Sequence, residues 1–167
     1  MVIDTSALVA ILLGEPEAEA IALAIAGDPR RLVSAFTALE TAIVIEAKKG
    51  ESGGRELDLL VHQARIEIVP LTAEQFESAR SAWREYGKGR HPAGLNIGDC
   101  CSYALAKCSG EPLLFKGNDF SQTDVKAVTI LSTPMVDRTT QPEDTAASSH
   151  SSFSPDPALP AELAEPK

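Results

Sequence analysis

Four acidic residues, Asp4, Glu40, Asp99 and Asp119, come from segments far apart in the chain yet stand at comparable points in its pattern. Asp4 ends the short apolar run Val2-Ile3, and Glu40 lies near the first turns of a helical stretch that follows Arg31 to Ser34. Asp99 opens a helix after the glycine-rich stretch from Gly87 to Gly94, and Asp119 follows the apolar run Leu113 to Phe115. Carboxylates gathered at one place repel one another unless a cation joins them. An all-oxygen set suits a hard divalent ion, Mg²⁺ or Mn²⁺, better than zinc. Such a centre supports hydrolysis of a phosphodiester by polarising the phosphate, lowering the pKa of water and stabilising the leaving oxygen. Each acid also has a purely structural reading. Asp4 can cap a helix starting at Thr5, Thr37-Ala-Leu-Glu40 matches a capping box, Asn96-Ile-Gly-Asp99 nearly does, and Asp119 sits in a turn-forming Gly117-Asn118-Asp119-Phe120. The recurrence of acids at strand ends is what favours the metal.

The elements that must carry these acids follow from hydrophobic periodicity and from the Gly and Pro punctuation. Helices are expected over Ala7 to Leu13, Pro16 to Ala26, Ala35 to Lys49, Arg55 to Ala64, Ala73 to Tyr86 and Ile97 to Lys107. Strands are expected over Met1 to Asp4, Arg31 to Ser34, Ile66 to Val69, Leu113 to Phe115 and Val128 to Leu131. Strands alternating with helix pairs need crossover connections, hence an α/β fold with a mostly parallel central sheet of about five strands flanked by helices. In open sheets of this kind function collects at the carboxyl ends of the strands, where the four acids are placed.

The chain has 167 residues and a net charge of −9, with 44% hydrophobic and 23% charged residues, which fits one globular domain. An acidic chain is a poor match to a broad nucleic-acid-binding face. The segment from Thr133 onward, however, supplies Asp137, Glu143, Asp144, Asp156, Glu162 and Glu165 against only Arg138 and Lys167. The remaining body is therefore only mildly acidic, and its carboxylates would approach a phosphodiester through a metal. Six of the 11 prolines lie at or beyond Pro134, and all 11 glycines lie at or before Gly117. Residues 133–167 are thus expected to form a disordered C-terminal tail beside a domain over residues 1–132. No apolar run is long enough to span a bilayer, and no basic leader precedes Val2, so a cytoplasmic protein is expected.

The phrases Val2-Ile-Asp4-Thr5-Ser6-Ala7, Leu95-Asn-Ile-Gly-Asp99-Cys100 and Leu114-Phe-Lys-Gly-Asn-Asp119-Phe120, with Glu40 inside a helix, resemble the PIN-domain ribonucleases. More narrowly they look like the VapC toxins of bacterial toxin-antitoxin pairs, over about residues 1–132. The resemblance implies a PIN-like domain and an Mg²⁺-dependent (or Mn²⁺-dependent) endoribonuclease that hydrolyses RNA by metal-activated water. Products with a 5′-phosphate and a 3′-hydroxyl would follow. It implies that Asp4, Glu40, Asp99 and Asp119 are the catalytic, metal-binding acids, with a hydroxyl of Thr5 or Ser6 assisting. Many relatives carry an acid where this chain has Asn118. A cognate VapB-like antitoxin, with a segment packing along helical grooves, and a homodimer are the implied partners, with no membrane.

Two other readings compete. A receiver-like signalling domain also gathers acids at strand ends for Mg²⁺, but the expected lysine and phospho-acceptor arrangement is absent. A haloacid-dehalogenase-type phosphatase expects a second Asp two residues after the first, where Ser6 stands. Cys100, Cys101 and Cys108 lack metal-ligand spacing, with Cys101 and Cys108 roughly 10 Å apart along a helix, so they are expected as small buried packing residues. His91, with Lys88 and Arg90, and separately Lys116, are either phosphate contacts or solvated side chains. Phe76 and Trp83, on one helix, are expected in the core or at a subunit seam.

Overall fold

Each central strand of the sheet sends consecutive side chains to opposite sides, and that alternation builds two cores. The computed structural model describes residues 1–130. The order is β1 (Val2–Ile3), α1 (Thr5–Leu12), α2 (Ala18–Gly27), β2 (Leu32–Ser34), α3 (Ala35–Lys49), α4 (Glu51–Gln63), β3 (Glu67–Val69), α5 (Ala73–Tyr86), α6 (Ile97–Ser109) and β4 (Leu113–Leu114). The four strands are parallel in the order β3-β2-β1-β4. Val2, Leu32 and Leu113 enter one core with Leu95, Tyr103, Leu105 and Phe120. Their neighbours Ile3, Val33 and Leu114 enter the other with Ala7, Leu8, Ile21 and Ile25. Burial on both faces explains why these strands read as unbroken apolar runs. A third cluster, Leu12, Ile45 and Leu57, joins α1, α3 and α4.

Helix ends are set by local chemistry. The Ser34 side chain caps α3 by accepting from the Phe36 N–H, and Gly50, with φ of 65°, ends it. Thr72 caps α5, and α6 runs from an Asn96 capping box to Gly110 in the left-handed region, the residue type that region favours. The predicted bounds of α3 and α5 coincide with those observed, whereas α1 begins earlier, at Thr5, because Asp4 caps it. Over the predicted last strand, Val128 to Leu131, no strand forms among the described residues; one residue earlier Ala127 makes a one-residue parallel bridge to Leu113 beside β4. Its hydrogen bonds run from Leu113 N–H to Lys126 O (2.7 Å) and from Val128 N–H to Leu113 O (2.9 Å). Leu131 and the expected tail over 133–167 lie outside the described residues.

The topology chooses where a site can form. From β1 the chain moves out to β2 and β3, but the last strand, β4, docks on the other side of β1. The strand order reverses about β1, and such a switch point leaves a crevice beyond the carboxyl ends of the strands. Asp4 is the first residue after β1.

Candidate active site

Asp4 is buried, 3% exposed, and is held from three directions. Its Oδ2 accepts from the Ser6 N–H (2.9 Å) and the Ser6 hydroxyl (2.7 Å), and its Oδ1 accepts from the Ser102 hydroxyl on α6 (2.7 Å). Ser102 in turn shares a 3.1 Å hydrogen bond with Thr37 on α3. The Lys116 N–H donates to Ser6 Oγ (2.9 Å), which ties the exit of β4 to the same cluster. Four hydroxyl-centred contacts thereby connect the segments that carry Asp4, Glu40, Asp99 and Asp119.

Glu40 comes from the second turn of α3 and is half-buried. Thr5 Oγ1 donates to its Oε2 at 2.6 Å. The Asp99 carboxylate, 9% exposed, accepts from the Asn96 N–H (2.7 Å), while Asn96 Oδ1 accepts from the Asp99 N–H (3.0 Å). The capping-box reading of Asp99 is therefore satisfied, and it coexists with the site. For Glu40 that reading fails: α3 already starts at Ala35, so Thr37 is a buried interior residue and not a cap. Asp119 is exposed in the turn that follows β4.

Electrostatics couple the four. Burial pushes the Asp99 carboxyl up to about 6, the Asn96 N–H opposes this, and the charges of Asp4, Asp119 and Glu40 each raise it further. Among the described residues no three His, Cys, Asp or Glu side chains close round a common point tightly enough to enclose a metal ion. Within those residues, Glu40 Oε1, Asp99 Oδ1 and both oxygens of Asp119 accept no hydrogen bond. The donor chemistry fits a hard divalent cation: mutually repelling carboxylates with open oxygens, bordered by hydroxyls. It does not suit zinc, because burial pushes the neighbouring Cys100 thiol up to about 12 and raises that of Cys101, leaving both protonated.

Other expectations sort as follows. Cys100 and Cys101 are buried as expected, but Cys108 is exposed, since it lies at the end of α6 beyond the packed face. Lys116 Nζ is engaged by Glu15 (2.6 Å) and Glu17 (2.9 Å), so it braces the α1–α2 connection. His91 packs edge-on against Tyr86, and its Nδ1 accepts from the Ala93 N–H (3.1 Å). Phe76 and Trp83 are 53% and 38% exposed, which excludes the core. Sequence reading missed Ser102 and Thr37. The signal available for Ser102 was its place one helical turn after Asp99, on the same face of α6.

A parallel sheet with acids at its switch point occurs in more than one class of α/β protein, and a match to the PIN domain, covering residues 1–126, selects the class. Ribonuclease VapC of Mycolicibacterium smegmatis is 63% identical over 128 residues, 77% of this chain and 99% of that protein. Ribonuclease VapC30 of Mycobacterium tuberculosis is 59% identical over 130 residues, 78% of this chain and 99% of its own length. The chain belongs to the PIN-domain family and, within it, to the VapC ribonucleases. Among solved structures, Mycobacterium tuberculosis VapC20, described as a sarcin-ricin loop cleaving toxin, superposes with a TM-score of 0.63 at 17% identity, covering 76% of this chain and 97% of that one. A toxin-antitoxin complex from Klebsiella pneumoniae gives 0.61 at 18% identity, covering 79% and 98%. At those identities the likeness carries the fold.

Proposed function

We propose that this chain is the endoribonuclease toxin of a toxin-antitoxin pair and that Asp4, Glu40, Asp99 and Asp119 together hold Mg²⁺, or Mn²⁺ in its place. The observation that supports the site is the approach of the four segments to one another. The Ser102 hydroxyl of α6 donates to Asp4 and shares a hydrogen bond with Thr37 of α3, the Glu40 carboxylate lies over Gly98 beside Asp99, and the charges of Asp4, Asp119 and Glu40 all raise the Asp99 carboxyl. When bound, the cation supplies the charge that polarises the scissile phosphate and lowers the pKa of water. The chain's own residues prepare for it. Ser6 and Ser102 fix both oxygens of Asp4, Thr5 fixes one oxygen of Glu40, and Asn96 fixes one of Asp99. Pre-set ligands lose little rotamer freedom on binding, and oriented dipoles need not reorganise during the reaction. With no cation the clustered negative charge opposes an RNA phosphate, so binding and hydrolysis both depend on metal.

The proposal extends to partners and domain limits. Phe36, Leu71, Phe76, Trp83 and Ile97 line an apolar hollow of about 690 Å³ beside the site, which supports a homodimer with this face as its seam. A second apolar groove, lined by Ala38, Ala42, Leu57, Val61 and Ile66 between α3, α4 and β3, suits an amphipathic segment of the antitoxin. Residues 1–132 form the nuclease unit in this reading, and 133–167 are dispensable for cleavage, because the PIN match ends at 126. No helix among the described residues is long and apolar enough to cross a membrane, and the cytoplasm is where RNA and antitoxin would be met.

The direct test is cleavage of a mixed cellular RNA by full-length protein. Activity should vanish with EDTA, return with Mg²⁺ or Mn²⁺, and ignore a zinc-selective chelator. Cleavage that persists in EDTA would refute the reading.

A further inference from the structure

Glu40 reaches the site on a long flexible side chain, so its carboxylate must be placed by groups outside α3. One is Thr5, whose hydroxyl donates to Oε2 at 2.6 Å. The other is an absence. Gly98, buried in the first turn of α6, faces the Glu40 carboxylate so closely that a Cβ there would stand 2.6 Å from Oε1 and 2.7 Å from Cδ, and nearer still to Oε2. Contacts under 3.0 Å are essentially never made by real Cβ atoms, so any side chain at position 98 must displace the carboxylate. The backbone gives no reason for glycine at this position. Gly98 is helical, outside the positive-φ set, and glycine is the weaker helix former. Its residue type is accounted for by the carboxylate that lies over it.

We propose that Gly98 is a positioning residue: with the Thr5 hydroxyl it forms a berth that holds the Glu40 carboxylate next to Asp99. The inference rests on the assignment of Glu40 to the metal site. It turns the replacement of one hydrogen atom by a methyl group at position 98 into a change of ligand geometry, without touching any group that reacts.

The test uses full-length protein, with thermal unfolding in EDTA, Mn²⁺ titration calorimetry and steady-state RNA cleavage. Metal-free Gly98→Ala should unfold at the parent's temperature or above it, because alanine favours the helix. Its Mn²⁺ dissociation constant should nevertheless rise roughly 10- to 100-fold, as for other residues that orient ligands, and kcat should fall while KM for RNA moves less than about threefold. A folded Gly98→Ala protein with the parent's Mn²⁺ affinity overturns the proposal. If the alanine variant does not fold, the opposite side of the berth decides. Thr5→Val should weaken Mn²⁺ binding and Thr5→Ser should bind more tightly than Thr5→Val, whereas equal affinities overturn it. Glu40→Gln, measured alongside, separates the two claims. If it leaves Mn²⁺ affinity intact, the site assignment falls and the berth with it. A weakened Glu40→Gln beside an undamaged Gly98→Ala removes the berth alone.

Discussion

Asp99 shows at the residue scale how a cap and a ligand coexist in one side chain. One oxygen closes the capping box with Asn96, and the other remains open toward the acids. Without metal its carboxyl holds a proton up to about pH 6, whereas the ordinary value for an aspartate is 3.8. Between those values the native state binds more protons than the unfolded one, so stability falls as pH rises through that window and levels off above it. A shift of this size corresponds to about 3 kcal/mol at most, since one pKa unit is about 1.4 kcal/mol. Asp99→Asn keeps an acceptor for the cap but removes the charge. In EDTA its urea-unfolding free energy should lose this pH dependence and match or exceed the parent's at pH 7, while added Mg²⁺ should stabilise it less. An unchanged slope and an unchanged Mg²⁺ response would leave Asp99 with the cap alone.

Elements bring the acids together, and here the sequence was legible unevenly. The spacing of Phe36, Leu39 and Ile43 and the stop at Gly50 marked the extent of α3, and the Gly87 loop marked the end of α5, because end signals act locally. The apolar stripe of α3 is nevertheless not its buried face, since Leu39 and Ile43 are exposed and Thr37, Thr41 and Ile45 are buried. The capping-box reading of Thr37 was at odds with that same helix start, because the cap is Ser34, three residues earlier. The four acids were readable through strand ends and family phrases. Ser102 was legible only as the residue one helical turn after Asp99, and that spacing names no partner until the sheet order sets α6 over the end of β1. Its hydroxyl joins Asp4 on one side and Thr37 on the other. Removing it by Ser102→Ala leaves Asp4 Oδ1 short of a donor and the buried Thr37 hydroxyl short of an acceptor, and should cost about 1–3 kcal/mol in denaturant unfolding. A variant as stable as the parent would show that this bond contributes nothing to joining α6 to β1.

On the scale of the whole molecule, the exposed aromatic face and the chain's limits become testable. Trp83→Glu places a charge in the apolar hollow beside Arg80 and Lys88, and in a dimer seamed there it should weaken association by about 2 kcal/mol or more, roughly 30-fold in dissociation constant. Light scattering across a dilution series reads this, and an unaltered mass at every concentration would place the seam elsewhere. Truncation after Ser132 should leave the melting temperature and RNA cleavage nearly unchanged, because the PIN match ends at residue 126. Loss of a cooperative transition on truncation would refute that boundary. The account as a whole turns on four distant carboxylates serving one cation, and anomalous diffraction from crystals soaked in Mn²⁺ measures this most directly. A manganese peak is expected at the carboxyl end of β1, with oxygens of Asp4, Glu40, Asp99 and Asp119 bound to it at about 2–2.6 Å or through one water. No peak at saturating Mn²⁺, or a peak away from these four residues, would contradict it.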